Sequence, residues 1–388
     1  MQIELTFARF FNVMSVRALF ALLLFICFAA VAVAQPGDSL TGFGIEGNFM
    51  SGRIIRHSAK FTAPIPAFSN AVEANFVWQT YGKKEWQQRR NFPQIGGGIV
   101  YTDYGLSSVF GRCVGLNANI QVPLARVGKL EWTCRFGIGM AYVTRKYQAY
   151  APYDTINTAV STHFNAFPVF VTDVRYHINK HWDVQLGANF THISNALYSE
   201  PNLGVNMAGL HIGTRYFPVS SAPGLIVHSL PRLRNRFLVD VRGGLSYKHA
   251  RAEGSPVLPT YIGALSLSRR WWGKNKWYVG VDYAYHHDVY AFLKNYGVDR
   301  GVERQNSWDG TFFVGNELMI GRVGIITQVG VYYHQTFLDF DPVMERIGIK
   351  YYLLARESGI FKDVYLSAIL ATHAVVAEYS EFGIGFAF

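Results

Sequence analysis

Residues 182–194, WDVQLGANFTHIS, alternate between apolar and polar side chains. The even positions from Trp182 to Phe190 are apolar, and the odd positions are polar or glycine. Successive side chains of a β-strand point to opposite faces, so this pattern predicts a strand with one face in an apolar phase. His192 and Ser194 continue the apolar face. A candidate base and a candidate nucleophile are therefore expected on the apolar side of the strand, where an enzyme acting on a lipid would need them.

The composition of the whole chain agrees with this strand. Half of the 388 residues are hydrophobic, 15% are aromatic, and glycine occurs 37 times. Beyond residue 34, no run approaches the roughly 20 continuous apolar residues of a membrane-spanning helix. Abundant aromatics and glycine with a period of two favour a transmembrane β-barrel over a soluble β-sandwich. We therefore predict an all-β, antiparallel transmembrane β-barrel of the bacterial outer membrane.

The two ends of the chain support an exported membrane protein. Two arginines precede an apolar run, 18–34, that ends in Ala-Val-Ala. This predicts a signal peptide over residues 1–34, with an uncleaved anchor as the alternative. The last seven residues, FGIGFAF, place an aromatic or aliphatic side chain at every second position. This ending resembles the assembly signal of outer-membrane proteins, which implies contact with the outer-membrane assembly machinery during insertion.

The net charge indicates which partners the protein binds, and the positions of the cysteines indicate whether they form a disulfide. The net charge of +10 suits an anionic lipid surface, and the export signal argues against nucleic acid. Basic side chains are concentrated in expected loops: Lys83, Lys84, Arg89, Arg90, Arg145 and Lys146. Cys113 falls on an inward strand face and Cys134 on an outward one. Because such sulfurs cannot reach disulfide geometry, we predict two unpaired cysteines.

The alternation predicts two units of similar design. Residues 35–218 form an eight-stranded barrel unit, 219–236 a linker, and 237–388 a second barrel unit of up to eight strands. The pattern leaves open whether two barrels or one larger barrel results. The first eight strands are expected near 43–55, 69–80, 94–104, 109–123, 130–147, 166–178, 181–194 and 204–217. The others are expected near 237–250, 259–272, 276–290, 311–321, 323–334, 345–355, 363–373 and 377–388.

Short matches between the halves suggest a duplication. Residues 81–86, YGKKEW, recur as WGKNKW at 272–277, and Thr191-His192 recurs as Thr372-His373. The position of Ser194 corresponds to Val375, so the nucleophile occurs once. The second half is accordingly expected to be structural or to serve lipid binding or transport.

One histidine cluster in the second half, His286-His287-Asp288, raises the question of a metal. Adjacent side chains on a strand face opposite sides, so a role in the membrane girdle or a loop is favoured. We predict neither a metal nor a cofactor.

The hairpin after the opening strand assembles a set of catalytic side chains. Pro201-Asn202-Leu203-Gly204 has turn chemistry and folds the chain back. A hairpin centred near residue 199 sets Asn206 opposite His192, where Cβ atoms lie ~5 Å apart. This predicts a relay in which Ser194 attacks, His192 is the base and Asn206 orients it. Asn195 and Asn202 are the candidates for oxyanion stabilisation or positioning.

The string from His192 to Asn206 resembles the PagL-type lipid A 3-O-deacylases. Those barrels carry a histidine, any residue and then Ser-Asn-Ala, followed by a Pro-Asn-x-Gly-like turn, as residues 192–204 do. The resemblance covers about residues 40–218. It implies a lipid-facing site that removes an ester-linked acyl chain from lipopolysaccharide, with Ser194 as nucleophile and His192 as base.

The chain departs from that family at the third position of the relay. The family has an acidic residue twelve positions after the serine, and in this chain that position is Asn206. An amide orients an imidazole but does not neutralise an imidazolium, and in a serine protease the exchange costs roughly 10⁴ in turnover. Glu200 is the alternative acid. The rival function is a non-catalytic barrel, a channel or lipid-binding protein with a decayed site.

Overall fold

The computed structural model describes residues 40–388 except 57–59, 152, 221–223, 231–235, 250–255, 272–274, 337–341, 357 and 374–375. The predicted signal peptide, residues 1–34, therefore lies outside the described residues. No described helix is long and apolar enough to cross a membrane.

Two compact units make up the described chain. The first comprises the described residues of Met1–Lys83, Arg90–Asn195 and Pro201–Val227, and the second those of Lys84–Arg89, Ala196–Glu200 and His228–Phe388. Each unit contains one antiparallel barrel, so the question of two barrels or one is answered in favour of two.

The first barrel has eight long strands and one short one. They are β1 Phe43–Ile55, β2 Ser69–Gln79, β3 Gln94–Asp103, β4 Arg112–Val127, β5 Leu130–Val143, β6 Phe164–Ala166, β7 Val169–His177, β8 Trp182–Ile193 and β9 Val205–Tyr216. The order β4-β3-β2-β1-β9-β8-β7-β5-β6 is closed by the pairing of β4 with β5. Strand β6 pairs with the end of β5.

The second barrel is closed in chain order. Its strands are β10 Phe237–His249, β11 Val257–Trp271, β12 Asn275–His286, β13 Trp308–Ile320, β14 Val323–His334, β15 Val343–Ala355, β16 Asp363–His373 and β17 Val376–Ala387. In the described part of the chain, two helices accompany the strands, α1 Glu85–Arg89 and α2 His287–Tyr296.

Alternation sorts the side chains of β8 as its sequence predicts. Trp182, Val184 and Leu186 are exposed on the outer wall, whereas Asp183 and Gln185 are buried in the interior. A polar interior with an apolar outer wall is the pattern of an outer-membrane barrel.

Ion pairs fill the interior of the first barrel. Arg135 lies 2.6 Å from Glu73, and Arg175 lies 3.1 Å from Glu46, with every one of these side chains at most 1% exposed. Near the tight turn between β7 and β8, Arg215 pairs with Asp183 at 2.5 Å. Charges this deeply buried are stable because each is paired and hydrogen-bonded.

Three described elements were not expected from the sequence. The strand predicted over 166–178 begins at Val169, because Pro168 lacks an amide hydrogen to continue the ladder. The short strand β6 stands apart before it. The strand predicted over 276–290 ends at His286, and helix α2 follows directly. Asp288 lies in the first turn of α2, where a negative charge is favourable, and Gly297 caps its C-terminus in a left-handed conformation. Helix α1 was also missed.

The predicted echo of His192 in the second half does not preserve its direction. His192 lies on the outer face of β8, whereas His373 is buried in the interior of the second barrel and Thr372 faces outward. A shift of one residue moves a side chain to the opposite face of a strand. Thr372-His373 is therefore not a second copy of the site, and Val375 lies outside the described residues.

Both described cysteines are free, as predicted. Cys113 is buried in the interior and Cys134 lies half-buried on the outer face. Their strands β4 and β5 are neighbours, but the two sulfurs are on opposite sides of the wall.

Leu186→Arg is expected to destabilise the first barrel strongly. Leu186 is 61% exposed on the outer wall, and a cation near the middle of a bilayer costs ~2–4 kcal/mol. The control is Leu186→Met, which keeps the wall apolar and should change stability little. Urea unfolding in lipid vesicles measures both variants. Equal stability of the two would contradict the assignment of this face to the membrane.

Candidate active site on the last hairpin of the first barrel

The hairpin of β8 and β9 has the register that the sequence predicts. His192 pairs with Asn206 and Ile193 with Val205. His192 and Asn206 are half-buried on the outer wall, and the intervening side chains Ile193 and Val205 are buried inside. The hairpin therefore brings the predicted base and its orienting residue together.

A direct hydrogen bond joins these two side chains. The distance from His192 Nδ1 to Asn206 Oδ1 is 2.5 Å. Because an amide oxygen only accepts, Nδ1 carries the hydrogen and donates it. The neutral ring then has its lone pair on Nε2, which is the tautomer that a general base requires.

Gly204 holds the turn close to the imidazole. Its φ of +71° lies in the left-handed region that glycine adopts without strain. A Cβ at this position would stand 2.6 Å from His192 Cε1. The turn is also anchored by the Gly204 amide, which donates to the Ala159 carbonyl at 2.7 Å. Glycine is therefore required both for the turn and for the position of the ring.

Ser194 is more enclosed than the sequence suggests. Alternation places it on the outer face, yet it is only 6% exposed. Its carbonyl accepts a hydrogen bond from the Ala166 amide at 2.7 Å, so the backbone of the serine is fixed against β6. This enclosure was not predictable because β6 was not predicted.

Ser194 lies two residues beyond His192, just past the end of β8. In the described part of the chain, no hydrogen bond runs from Ser194 Oγ to the ring. Catalytic hydrogen bonds are often long or misaligned without substrate and tighten in the complex. The structure thus brings together the predicted base and its predicted orienting group, and the predicted nucleophile follows two residues further along the chain.

The two asparagines of the turn form a second contact. The Asn195 amide donates to Asn202 Oδ1 at 2.9 Å, and Asn195 Nδ2 donates to Ser161 Oγ at 3.0 Å. The Asn195 amide is therefore occupied and is not an oxyanion donor in this state. Asn202 Nδ2 is buried without a hydrogen-bond partner among the described residues. An unpaired buried donor is costly, so this amide is the better candidate for an oxyanion.

The other predicted residue, Glu200, is exposed to solvent. To act as the acid, Glu200 would have to accept a hydrogen bond from His192 Nδ1, which already donates to Asn206 Oδ1. Ser161 was missed by the sequence reasoning, because it lies in the long connection between β5 and β6, where no periodicity links it to Asn195. The importance of Gly204 was accessible from the Pro-Asn-x-Gly turn.

The backbone is also strained just beyond the site. Ala196 and Leu197 have φ values of +53° and +61°, which side chains other than glycine rarely adopt. Such conformations cost about 1–3 kcal/mol and tend to cluster at functional positions.

Closed antiparallel strands with an apolar wall define this chain as a barrel protein of the outer-membrane type. Two family models match it. The model described as lipid A 3-O-deacylase (PagL) matches residues 70–215, and the model described as acyloxyacyl hydrolase, C-terminal domain, matches residues 237–388. Together they span about three quarters of the chain. The first barrel therefore carries the similarity to the lipid A 3-O-deacylase (PagL) family, and the second barrel carries the similarity to the acyloxyacyl hydrolase C-terminal domain.

The solved structures that match parts of the chain are distant from it in sequence. Neisserial surface protein A (NspA) is 11% identical, with a TM-score of 0.31, and the match covers 46% of this chain and 97% of that chain. The outer membrane enzyme PagL is 13% identical, with a TM-score of 0.27, and the match covers 43% of this chain and 97% of that chain. No curated protein matches the chain in sequence.

Proposed function

We propose that the first barrel is an esterase of the bacterial outer membrane that removes an ester-linked acyl chain from lipid A. Its catalytic residues are Ser194 and His192, and Asn206 orients the histidine. The observation that carries the proposal is the 2.5 Å hydrogen bond from His192 Nδ1 to Asn206 Oδ1, which selects the tautomer with the lone pair on Nε2. The match of residues 70–215 to the deacylase family model supports the substrate class.

The reaction follows from these side chains. Ser194 Oγ attacks the acyl carbonyl carbon while His192 Nε2 takes the hydroxyl proton. The tetrahedral intermediate collapses, the C–O bond to the lipid A sugar breaks, and His192 returns the proton to the leaving sugar oxygen. Water, deprotonated by His192, then attacks the acyl-serine; the bond from the acyl carbon to Ser194 Oγ breaks, His192 returns the proton to Oγ, and the fatty acid is released. Asn202 Nδ2 supplies a hydrogen bond to the oxyanion in both steps.

The position of the site on the barrel suits a substrate in the outer leaflet. Trp182 near the tight turn and His192 are ten positions apart along the strand, which at about 3.3 Å per residue is a length of ~33 Å. A strand tilt of ~40° reduces this to ~25 Å along the bilayer normal, the height of the apolar band. Tight turns of such barrels are periplasmic. The site then lies at the level of the outer leaflet.

The interior of the first barrel argues against the channel alternative. Buried ion pairs cross it, with Arg135, Arg175 and Arg215 each at most 3% exposed. A conducting pore needs a water-filled lumen, in which such side chains would be solvated.

An exposed arginine beside the site is a candidate ligand for a lipid phosphate. Arg53 lies on the outer wall of β1, whose Ile55 pairs with Asn206. One arginine near an anionic lipid surface contributes about 1 kcal/mol. Arg53→Gln is therefore expected to raise KM about fivefold with little change in kcat, and the difference should shrink in high salt. Arg126→Gln, an exposed arginine at the far end of the wall, is the control. Equal effects of both changes would remove Arg53 from substrate binding.

Gly204→Ala is expected to lower kcat at least tenfold. The new Cβ would displace the imidazole, from which it would stand 2.6 Å. Gly128→Ala is the matched control, because Gly128 has a φ of +59° in a tight turn with nothing within 4 Å of a Cβ. Both variants carry the same kind of backbone strain. If the two lose equal activity, the effect comes from the backbone and not from His192.

The test of the function is the mass of lipid A. Membranes that contain the wild-type protein should yield lipid A lighter by one acyl chain, and membranes with the Ser194→Ala protein should yield unmodified lipid A. Unmodified lipid A in the presence of folded wild-type protein would contradict the proposed reaction.

A further inference from the structure

A group of metal-binding side chains lies inside the second barrel, apart from the proposed esterase site. His286, Asp309 and Glu378 each offer one ligand atom, and these atoms lie within 4.8 Å of one another. His286 and Asp309 are 1% and 2% exposed, and the Glu378 side chain is 13% exposed. The three come from the end of β12, the start of β13 and the start of β17. They therefore meet in the interior at one end of the barrel.

A buried oxygen in this group lacks a partner. Asp309 Oδ2 lies 2.6 Å from His286 Nε2, but Asp309 Oδ1 is buried with no hydrogen-bond partner among the described residues. A carboxylate oxygen in that state is costly unless a proton or a cation meets it.

The charges around the group leave a deficit of positive charge. Lys248 pairs with Asp288 at 2.9 Å, and Arg346 pairs with Asp282. Each of these cations thus has its own carboxylate. Among the described residues, Asp309 and Glu378 have only imidazoles as direct ion-pair partners, His286 and His373. His373 donates from both ring nitrogens and is therefore an imidazolium, so with His286 neutral the group carries one net negative charge, which favours a bound cation.

We propose that His286, Asp309 and Glu378 bind a divalent transition-metal ion, with zinc as the best match to one imidazole and two carboxylates. Zinc accepts nitrogen and carboxylate oxygen at about 2.0–2.2 Å, so tetrahedral ligand atoms stand roughly 3.4 Å apart. The side chains reach this spacing by moving His286 and Asp309 apart and Glu378 inward. The fourth position is open to water.

A second histidine orients one of the ligands. His373 Nε2 lies 2.9 Å from Glu378 Oε2, and His373 Nδ1 lies 3.2 Å from the Val343 carbonyl oxygen. Hydrogen bonds of this kind to a ligating carboxylate fix its direction. This site was not predicted from the sequence, which considered His286-His287-Asp288. Asp309 and Glu378 join His286 only through the pairing of distant strands.

The experiment uses the full chain, folded in detergent and stripped of metal by a chelator. Zinc is titrated in competition with a chromophoric chelator, and cobalt(II) is added separately to record its visible absorption. We expect one ion per chain and a cobalt spectrum of low coordination number. Asp309→Asn and His286→Gln should each weaken zinc binding at least about 100-fold, and His373→Gln about 10- to 100-fold. The mobility of unheated protein on a gel confirms that each variant is folded.

Two variants serve as controls. Glu345→Gln removes a carboxylate from the outer face at the same end of the barrel and should leave zinc binding unchanged. Ser194→Ala should also bind zinc normally, which separates this inference from the esterase proposal. Binding of less than one zinc ion by folded wild-type protein would overturn the inference. Equal affinity in the wild type and in folded Asp309→Asn would do so as well, and would identify the cluster as a structural hydrogen-bond network.

Discussion

Ser194→Ala and His192→Ala are each expected to abolish fatty-acid release from lipopolysaccharide. The nucleophile and its base act as one unit, so loss of either removes the same chemistry, roughly 10⁴–10⁶ in kcat. For the same reason the double variant should be no slower than either single variant. Single-turnover rates on purified lipopolysaccharide measure all three.

The control for this pair is Ser51→Ala. Ser51 is a half-buried serine on the outer wall of the same barrel. Its partners on the neighbouring strands are Leu210 and Asn70, so no histidine lies opposite it. It should keep full activity. Additive losses in the double variant would show that Ser194 and His192 act independently, which the relay does not allow.

Asn206→Asp and Asn206→Glu are expected to raise turnover by roughly 10- to 10⁴-fold. A carboxylate next to His192 Nδ1 would stabilise the imidazolium that forms as Ser194 attacks, which the native amide does only through its dipole. Asp is isosteric with Asn and preserves the 2.5 Å contact, whereas Glu matches the resemblance to the deacylases but is longer. Asn206→Ala should lose activity, because the ring is no longer held. The pH dependence of kcat/KM separates a change in the base from a change in folding.

Glu200 provides the counter-test to this prediction. If Glu200 were the acid, Glu200→Gln would cripple the enzyme and a carboxylate at position 206 would change little. We expect the reverse, since Glu200 is exposed and His192 Nδ1 is occupied by Asn206.

Much of the fold follows from local sequence. Strand faces depend on a period of two, which is why the exposed Leu186 and the buried Gln185 were assigned correctly. The register of β8 with β9 depends on one short turn, Pro201 to Gly204, so the pairing of His192 with Asn206 was predictable. Elements that break the alternation were not predictable from the sequence. Helix α2 follows β12 directly, and β6 has only three residues.

The candidate site residues also fall into those that local sequence predicts and those that it does not. His192, Ser194 and Asn206 lie on one hairpin, and the sequence identifies them together. Ser161, which accepts a hydrogen bond from Asn195, comes from a connection more than thirty positions away. The cluster of His286, Asp309 and Glu378 joins three strands of the second barrel. Contacts between distant strands depend on closure and register, which one sequence does not encode locally.

The central claim is that Ser194 is a nucleophile on the outer wall of the first barrel. A lipid-tailed fluorophosphonate, which forms a covalent bond to an activated serine, tests it most directly. The folded protein is treated with the probe and digested, and the modified peptide is mapped by mass spectrometry. We predict one adduct, on Ser194, that is absent in His192→Ala. Folded wild-type protein that remains unlabelled, or that carries the adduct on a different serine, would contradict the account.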